Sequence, residues 1–194
     1  KPDGTWNAPT TPERSPRMAG PLAVADVDGT GELELFVGGR AVPGRYPEPA
    51  DSVLLRMQEG RWTVAQAFPK LGLISGAVFS DLDGDGDPDL ILAGEWASPR
   101  VYRNDSGTLV DATAALGLER WTGLWNGVAA GDFDGDGRMD FVMSNAGRNA
   151  RIDSVGSTQS PVRLHYGDWV GSGEIQTVLA SWDPVLSKEI PWRD

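Results

Sequence analysis

The sequence predicts an all-β protein, and within that class a β-propeller of four-stranded antiparallel blades. Three observations carry this prediction. The 194 residues include 25 glycines and 14 prolines, a composition typical of short strands joined by tight turns. An acidic stretch recurs along the chain, and strand-like apolar segments flank each copy. The chain is expected to hold three blades and part of a fourth, as a partial ring or a fragment of one.

The repeat is visible when the chain is aligned with itself. Four stretches correspond, LAVADVDGTGELELFVGG, AVFSDLDGDGDPDLILAG, VAAGDFDGDGRMDFVMSN and LHYGDWVGSGEIQTVLAS, and their leading aspartates are Asp26, Asp81, Asp132 and Asp168. The intervals between these aspartates are 55, 51 and 36 residues. Segments 54–73 and 101–118 also align, since they share an arginine, a glycine and a closing Leu-Gly-Leu. A period of about 50 residues indicates tandem blades, whereas a β-sandwich, the alternative, requires no fixed period.

Each unit is expected to hold four short strands. An apolar segment such as VAAGDF precedes the acidic loop, and a β-rich segment such as DFVMSN or ELELFVGG follows it. Segments 53–56 and 62–67 are further strand candidates in the first unit. The predicted division is an N-terminal extension or the end of a preceding blade at 1–19, blades at 20–73, 74–118 and 119–160, and a partial blade at 161–194.

An open arc of blades would leave sheet faces and a strand edge without partners. We therefore expect either that the chain is a piece of a longer polypeptide or that another copy completes the ring. The chain begins with Lys1 rather than methionine, which fits a processed or excerpted segment that has lost a targeting sequence.

Composition excludes several classes of function. The formal charge is −11, from 28 acidic and 17 basic residues, which disfavours duplex nucleic acid and anionic membranes and suits divalent cations. The chain has no cysteine, so disulfides, thiolate metal sites and cysteine nucleophiles are excluded. No apolar run approaches the roughly 18 residues that a membrane span needs, so we expect no membrane insertion.

The acidic loop has the spacing of a calcium site. Calcium takes six to eight oxygen ligands, and alternate carboxylates on a tightly curled loop supply them. Gly86 permits the sharp turn. In the second copy the predicted ligands are Asp81, Asp83, Asp85 and Asp89, with Asp87 contributing its backbone carbonyl. The third copy is equally complete, with Asp132, Asp134, Asp136 and Asp140, and with Arg138 at the carbonyl position.

The outer copies depart from this pattern. The first offers Asp26, Asp28, Thr30 and Glu34, with Glu32 at the carbonyl position, and is a plausible third calcium site. The fourth has Val170, Ser172 and Gln176 after its leading aspartate, and we expect it to bind nothing.

Two alternatives compete with this interpretation. An EF-hand needs an acidic ligand at the twelfth loop position, but Leu92 and Met143 stand there, inside apolar strand-like segments. The loops could also be polar Asx turns without a metal. Four or five carboxylates in one turn repel one another, and a bound dication relieves that repulsion.

With these residues in place, the chain resembles the FG-GAP, or VCBS-type, repeats of integrin-like β-propellers, in which a calcium loop joins the first two strands of a blade. The resemblance spans roughly residues 22–192. The phrases FVGGRAVPGRYPEP, LAGEW and LHYGDW are similar to those of bacterial relatives of the cartilage acidic protein, the ASPIC/UnbV group. The resemblance implies an exported, extracellular, cell-surface or periplasmic scaffold or adhesion module. The chain departs from this family in its expected number of blades, because integrin-like rings usually have seven.

The loops on the other side of the blades are expected to bind a partner. In an up-and-down blade, connections between strands two and three open on the face opposite the calcium loops. These connections, at 38–52, 94–100 and 144–161, carry arginines and aromatic residues suited to an anionic protein or glycan partner. The candidates are Arg45, Tyr46, Trp96, Arg100 and Arg148. The alternative is that these arginines only solvate loops or pair with neighbouring acids.

The sequence does not predict an enzyme. His165, the sole histidine, lies between Leu164 and Tyr166 on a strand, where it is expected to be an ordinary packed or edge residue. No nucleophile elbow, zinc-protease motif or phosphate loop is present. The abundant carboxylates leave a glycan-active hydrolase or lyase as a minor alternative. Two main interpretations remain: a calcium-binding propeller acting as a binding or adhesion module, and a purely structural propeller segment of a larger exported assembly.

Overall fold

The computed structural model of the chain describes residues 18–146 and 161–192. The described part is all-β. Its strands in chain order are β1 (Ala19–Ala25), β2 (Glu34–Gly39), β3 (Ala50–Gln58), β4 (Arg61–Ser80), β5 (Asp89–Ala97), β6 (Arg100–Asp105), β7 (Thr108–Asp111), β8 (Gly123–Gly131), β9 (Asp140–Asn145), β10 (Arg163–Gly167), β11 (Gln176–Asp183) and β12 (Lys188–Pro191).

The strands form antiparallel meanders. Unit 1 consists of β1, β2, β3 and the first part of β4, with Val24 opposite Leu35 and Leu35 opposite Leu55. Unit 2 consists of the second part of β4 with β5, β6 and β7, and here Leu90 lies opposite both Phe79 and Tyr102. The structure therefore confirms the all-β class and the antiparallel pairing. The number of blades and the closure of a ring stay predictions.

The long strand β4 belongs to both units. It pairs with β3 as far as Gly72 and with β5 from Leu73 onward. Pro69 lacks the N–H that a ladder requires, and it comes directly before Lys70, which has φ 50°. Gly72 follows with φ 138°, in a region that other residues rarely adopt. This irregular stretch carries the chain from one sheet to the next.

Units 3 and 4 are described in part. Unit 3 contains β8 and β9, and unit 4 contains β10, β11 and β12, each paired with its neighbour in antiparallel register. Residues 147–160, which follow β9, lie outside the described residues. Unit 3 joins unit 2 directly, because β8 also pairs with the end of β5 through Leu124 opposite Glu95.

The main core lies between units 1 and 2. Its buried members are Val27, Phe36, Leu54, Phe68, Leu71, Ile74, Leu90, Leu92, Tyr102 and Leu109, and Ala23, Ala25, Ala77 and Phe79 pack against them. Phe68 makes edge-on contacts with Phe36 and Tyr102, at centroid distances of 5.8 and 5.2 Å. Because one face of each sheet supplies these side chains, the two units pack face to face.

Equivalent hairpins close both units. Glu59 and Gly60 join β3 to β4, and Ser106 and Gly107 join β6 to β7. All four residues have positive φ, at 51°, 75°, 51° and 91°, as a two-residue type I′ turn requires. The glycine shared by segments 54–73 and 101–118 is therefore a turn residue in each unit.

Candidate functional site

The four acidic loops occupy equivalent places, between the first two described strands of their units. Asp26, Asp81, Asp132 and Asp168 come directly after β1, β4, β8 and β10. The ninth residues, Glu34, Asp89, Asp140 and Gln176, open β2, β5, β9 and β11. We call these segments loop 1 (26–34), loop 2 (81–89), loop 3 (132–140) and loop 4 (168–176), and number their positions 1 to 9.

The position-1 aspartate shapes every loop. One of its carboxylate oxygens accepts the N–H of the position-6 glycine, at 2.8, 3.0, 3.0 and 2.7 Å in loops 1 to 4. The other oxygen accepts an N–H from position 4 or 5, donated by Thr30, Gly84, Gly135 and Ser172 at 3.0, 2.8, 2.7 and 2.9 Å. The curled backbone is therefore wrapped around this side chain in all four loops.

The position-9 side chain closes the loop from its other end. An oxygen of this residue accepts the N–H of position 2, which belongs to Val27, Leu82, Phe133 and Trp169. The distances are 2.8, 2.9, 3.2 and 2.9 Å. In loop 4 the acceptor is the neutral amide of Gln176, so the closure requires an acceptor and not a negative charge.

Two glycines per loop have left-handed backbone. At positions 4 and 6 the φ values are 70° and 88° in loop 1, 79° and 97° in loop 2, 78° and 86° in loop 3, and 69° and 81° in loop 4. From the sequence, this role was predicted for position 6 alone. Position 4 has the same requirement, because a Cβ is strained in this region of the backbone map.

Carboxylate oxygens converge in three of the loops. They lie within 4.8 Å of one another in the groups Asp26, Asp28 and Glu34; Asp81, Asp83 and Asp85; and Asp132, Asp134 and Asp136. Hard oxygen donors at this separation suit calcium, so these acidic clusters can hold a metal ion. In loop 4, Val170 and Ser172 replace the carboxylates of positions 3 and 5, and no such group forms there within the described residues.

The remaining predicted ligands lie around these clusters. Asp89 is buried and accepts N–H groups from Leu82 and Asn104, at 2.9 Å each. Asp140 accepts from Phe133. Thr30 is hydrogen-bonded to Asp28 through both its backbone and its side chain. The roles of Asp89, Asp140 and Thr30 as ligands, and those of Asp87, Arg138 and Glu32 through their carbonyls, stay predictions.

Arginines contact the position-3 or position-5 carboxylates. Arg56 of β3 pairs with Asp28, at 2.7 Å from Nη2 to Oδ2, and with Glu34, at 3.1 Å from Nε to Oε1. Arg103, at the equivalent position of β6, pairs with Asp83. In loop 3, Arg138 pairs with Asp136 of its own loop at 2.7 Å. The arginine shared by segments 54–73 and 101–118 is thus a partner of an acidic loop.

The electrostatic environments of the loop carboxylates differ. The hydrogen bond from the Thr30 side chain lowers the pKa of Asp28, and Arg56 acts in the same direction. The hydrogen bond from Arg138 lowers the pKa of Asp136. Burial raises the pKa of Asp89 despite its two backbone hydrogen bonds, because the charged form is poorly solvated there. A dication nearby would favour the charged form of each group.

Asn104 connects loops 1 and 2. This buried residue of β6 donates its side-chain amide to the carbonyl of Val27, at 2.7 Å, and to that of Pro88, at 3.3 Å. Its backbone N–H donates to Asp89, and its side-chain oxygen accepts the N–H of Gly107. Sequence reasoning missed this residue, because an asparagine next to a turn has no distinctive pattern.

The predicted partner-binding residues are largely engaged with one another or with acids. Arg45 pairs with Glu48 through two hydrogen bonds of 2.6 and 2.7 Å. Trp96 donates its indole N–H to the Tyr46 hydroxyl, which in turn donates to Glu95. Arg100 pairs with Asp111 at 3.3 Å, and its Nε has no hydrogen-bond partner among the described residues. Arg148 lies outside the described residues.

A cleft of about 520 Å³ opens beside Trp96 and Arg100. Its lining also includes Lys70 of β4 and Arg163, His165 and Tyr166 of β10. His165 Nε2 lies 3.1 Å from Glu189, which also pairs with Arg163. Trp96 has φ 56°, which is unusual for a residue other than glycine. Lys70, Glu95 and the β10 residues line the cleft but were not predicted from the sequence as partner-binding residues.

The chain was compared with known protein families and curated proteins. Residues 50–143 match the FG-GAP-like repeat family. The matched segment begins at β3 and ends within β9, so it includes loops 2 and 3. No curated protein sequence matches the chain significantly. The match supports the resemblance to FG-GAP repeats and does not address the bacterial ASPIC/UnbV group, which stays a prediction.

Within residues 18–146 and 161–192, no helix has the length and apolar character that crossing a membrane requires.

Proposed function

We propose that the protein is a calcium-binding β-propeller repeat module that acts as an extracellular or cell-surface scaffold for binding. The observation that carries the proposal is the convergence of carboxylate oxygens to within 4.8 Å at positions 1, 3 and 5 of both loop 2 and loop 3. Calcium bound there neutralises charges that otherwise repel one another, and it cross-links two strands of each unit.

The stacking of the units supports a propeller. Ala77 and Phe79 on the first strand of unit 2 pack toward unit 1, while Ile91 and Val101 are buried on the opposite face. The first strands of units 2 and 3 approach closely, since a Cβ on Gly76 would lie 2.9 Å from the Cα of Gly127. These two glycines stand five residues before Asp81 and Asp132, so equivalent positions meet, as they do around a common axis.

Unit 1 offers a face for a further blade. Leu22 and Val24 correspond to Ala77 and Phe79 in the repeat, yet they are 60% and 58% exposed. Further blades of the same chain or of another copy would cover these side chains and close the ring. Molar-mass measurement on the chain and on a Leu22→Asp/Val24→Asp variant tests the second arrangement, because it predicts association that the variant loses.

Calcium binding is tested by thermal unfolding with millimolar calcium and with excess chelator. Binding to the folded state adds about 2.7 kcal/mol per site at a hundredfold excess over Kd, so two sites raise the melting temperature by roughly 10–20 °C in a chain of this size. Asp83→Asn combined with Asp134→Asn removes that rise. Ser172→Ala in loop 4 is the matched control and leaves it intact. A wild-type melting temperature that is the same in calcium and in chelator contradicts the proposal.

We propose that partners bind at the cleft, and that the module is not an enzyme. Lys70, Arg100 and Arg163 outnumber the one acid of the lining, Glu95, so the cleft is net cationic in a protein of net charge −11. Trp96 and Tyr166 add aromatic surfaces. This combination suits an anionic glycan or an acidic protein segment. The alternative is a purely structural role in a larger exported assembly. It is favoured by the ion pairs that Arg45 and Arg100 already form with acids of the same chain, Glu48 and Asp111.

Binding at the cleft is tested on an array of anionic and neutral glycans. Trp96→Ala combined with Lys70→Ala is expected to weaken binding to anionic members at least tenfold, whereas Trp121→Ala, on an exposed tryptophan outside the cleft lining, leaves it unchanged. Equal binding by both variants assigns the interaction elsewhere. No binding to any glycan, together with a calcium response, favours the structural role.

A further inference from the structure

We infer that loop 1 is not a third calcium site, because the guanidinium of Arg56 serves as its resident cation. This inference goes beyond the proposed function and uses the proposed calcium sites of loops 2 and 3 only as its contrast. It separates loops that look alike in sequence into two classes, one neutralised by the chain itself and one by an external ion.

Arg56 occupies the acidic cluster of loop 1. Its Nη2 lies 2.7 Å from Asp28 Oδ2, and its Nε lies 3.1 Å from Glu34 Oε1. Asp28 and Glu34 are two of the three carboxylates whose oxygens converge in this loop. A guanidinium donates several N–H groups in a fixed fork, so it can bridge two carboxylates as a single cation.

Burial makes this arrangement difficult to exchange. The side chain of Glu34 is 0% exposed, and its other oxygen accepts the N–H of Val27 at 2.8 Å. Removing Arg56 from such a carboxylate leaves a buried charge without its partner, which is costly. Calcium would have to displace the arginine and replace both contacts. Loop 1 is also poorer in ligands for calcium, because position 5 is Thr30 where loops 2 and 3 have an aspartate.

The equivalent arginine of unit 2 is held less firmly. Within the described part of the chain Arg103 pairs with Asp83 alone, and its side chain is 54% exposed, whereas that of Arg56 is 31% exposed. Asp89, the position-9 carboxylate of loop 2, accepts hydrogen bonds from backbone N–H groups instead of an arginine. Arg103 can therefore move into solvent when calcium enters loop 2. The hydrogen bonds that Asp89 accepts from backbone N–H groups keep the loop in shape.

Calorimetric titration with calcium chloride tests the assignment of the sites. The wild-type chain is expected to bind two calcium ions. The Asp83→Asn/Asp134→Asn variant, which leaves loop 1 intact, is expected to bind none. One residual ion in that variant, or three ions in the wild type, overturns the inference. A wild type that binds no calcium contradicts the proposed function instead, and the second measurement then decides the inference.

The second measurement compares thermal unfolding of Arg56→Gln and Arg103→Gln in excess chelator. Loss of the buried pair is expected to lower the melting temperature by about 5–10 °C in Arg56→Gln, and by less than about 2 °C in Arg103→Gln. Asp28→Asn serves if Arg56→Gln does not fold, and it is expected to lower the melting temperature more than Asp83→Asn does. Equal effects at the two units overturn the inference.

Discussion

Loops 2 and 4 have the same shape and very different charge. In each, the position-1 aspartate accepts the N–H of the position-6 glycine, at 3.0 Å in loop 2 and 2.7 Å in loop 4. In each, the position-9 side chain accepts the N–H of position 2 at 2.9 Å. Loop 2 carries five acids in nine residues and loop 4 carries two. Positions 1, 4, 6 and 9 therefore determine the turn, whereas positions 3 and 5 add charge that the turn does not need.

The largest expected difference between these loops concerns position 9. Asp89→Ala leaves the part-buried N–H of Leu82 and the buried N–H of Asn104 without an acceptor, at about 1–3 kcal/mol each. The free energy of unfolding in chelator should therefore fall by roughly 2–5 kcal/mol. Gln176→Ala, in the more exposed loop 4, should cost less than about 1 kcal/mol. Denaturant unfolding measures both, and comparable losses would show that the two closures are energetically alike.

Charge alone should convert loop 4 into a metal site if the comparison is right. Val170→Asp combined with Ser172→Asp gives loop 4 the same residues as loop 2 at positions 1, 3 and 5. We expect one additional calcium ion per chain in calorimetric titration. The added stability is about 2–3 kcal/mol at a hundredfold excess of calcium over Kd. Val170→Asn with Ser172→Asn is the uncharged control. An unchanged calcium stoichiometry in the aspartate variant would show that loop 4 lacks more than charge.

The smallest effect concerns pH in the absence of metal. Burial raises the pKa of Asp89 above 3.8, so its contribution to stability is complete below that value and is lost as pH rises through the folded pKa. Hydrogen bonds from backbone N–H groups, that of Gly173 first, lower the pKa of Asp168 below 3.8. Its contribution is therefore present above 3.8 and is lost as pH falls through the folded pKa. Carboxyl NMR titration in chelator measures both, and shifts of the same sign would contradict this prediction.

Much of the loop architecture could be predicted from the sequence. The period, the strands on either side of each loop and the acidic positions are local patterns, and local patterns determine backbone curl and strand alternation. Loop 4 keeps its turn because Asp168, Gly171 and Gly173 are all retained. The role of position 9 as an acceptor for position 2 was not predicted, because aspartate at that position suggests a metal ligand first.

Contacts between strands could not be predicted in the same way. The arginine shared by units 1 and 2 was visible, but its partner Asp28 lies 28 residues before Arg56 and on another connection. Glu95 links Arg40 and Tyr46 across 55 and 49 residues. Such pairs depend on the register and stacking of sheets, which local sequence patterns do not reveal. The sequence left open whether Arg45 and Arg100 pair with acids, and the structure shows that both do.

Asn104 couples the stability of the two neighbouring loops, 1 and 2. A single buried amide contacts the backbone of loop 1 at Val27 and that of loop 2 at Pro88, while its own N–H is held by Asp89. In a repeat array, stability is the sum of each unit's own stability and the coupling between nearest neighbours. A calcium ion in loop 2, as proposed, should therefore slow amide hydrogen exchange in loop 1, where we infer that no calcium binds. The junction between units 1 and 2 would then be the last to open.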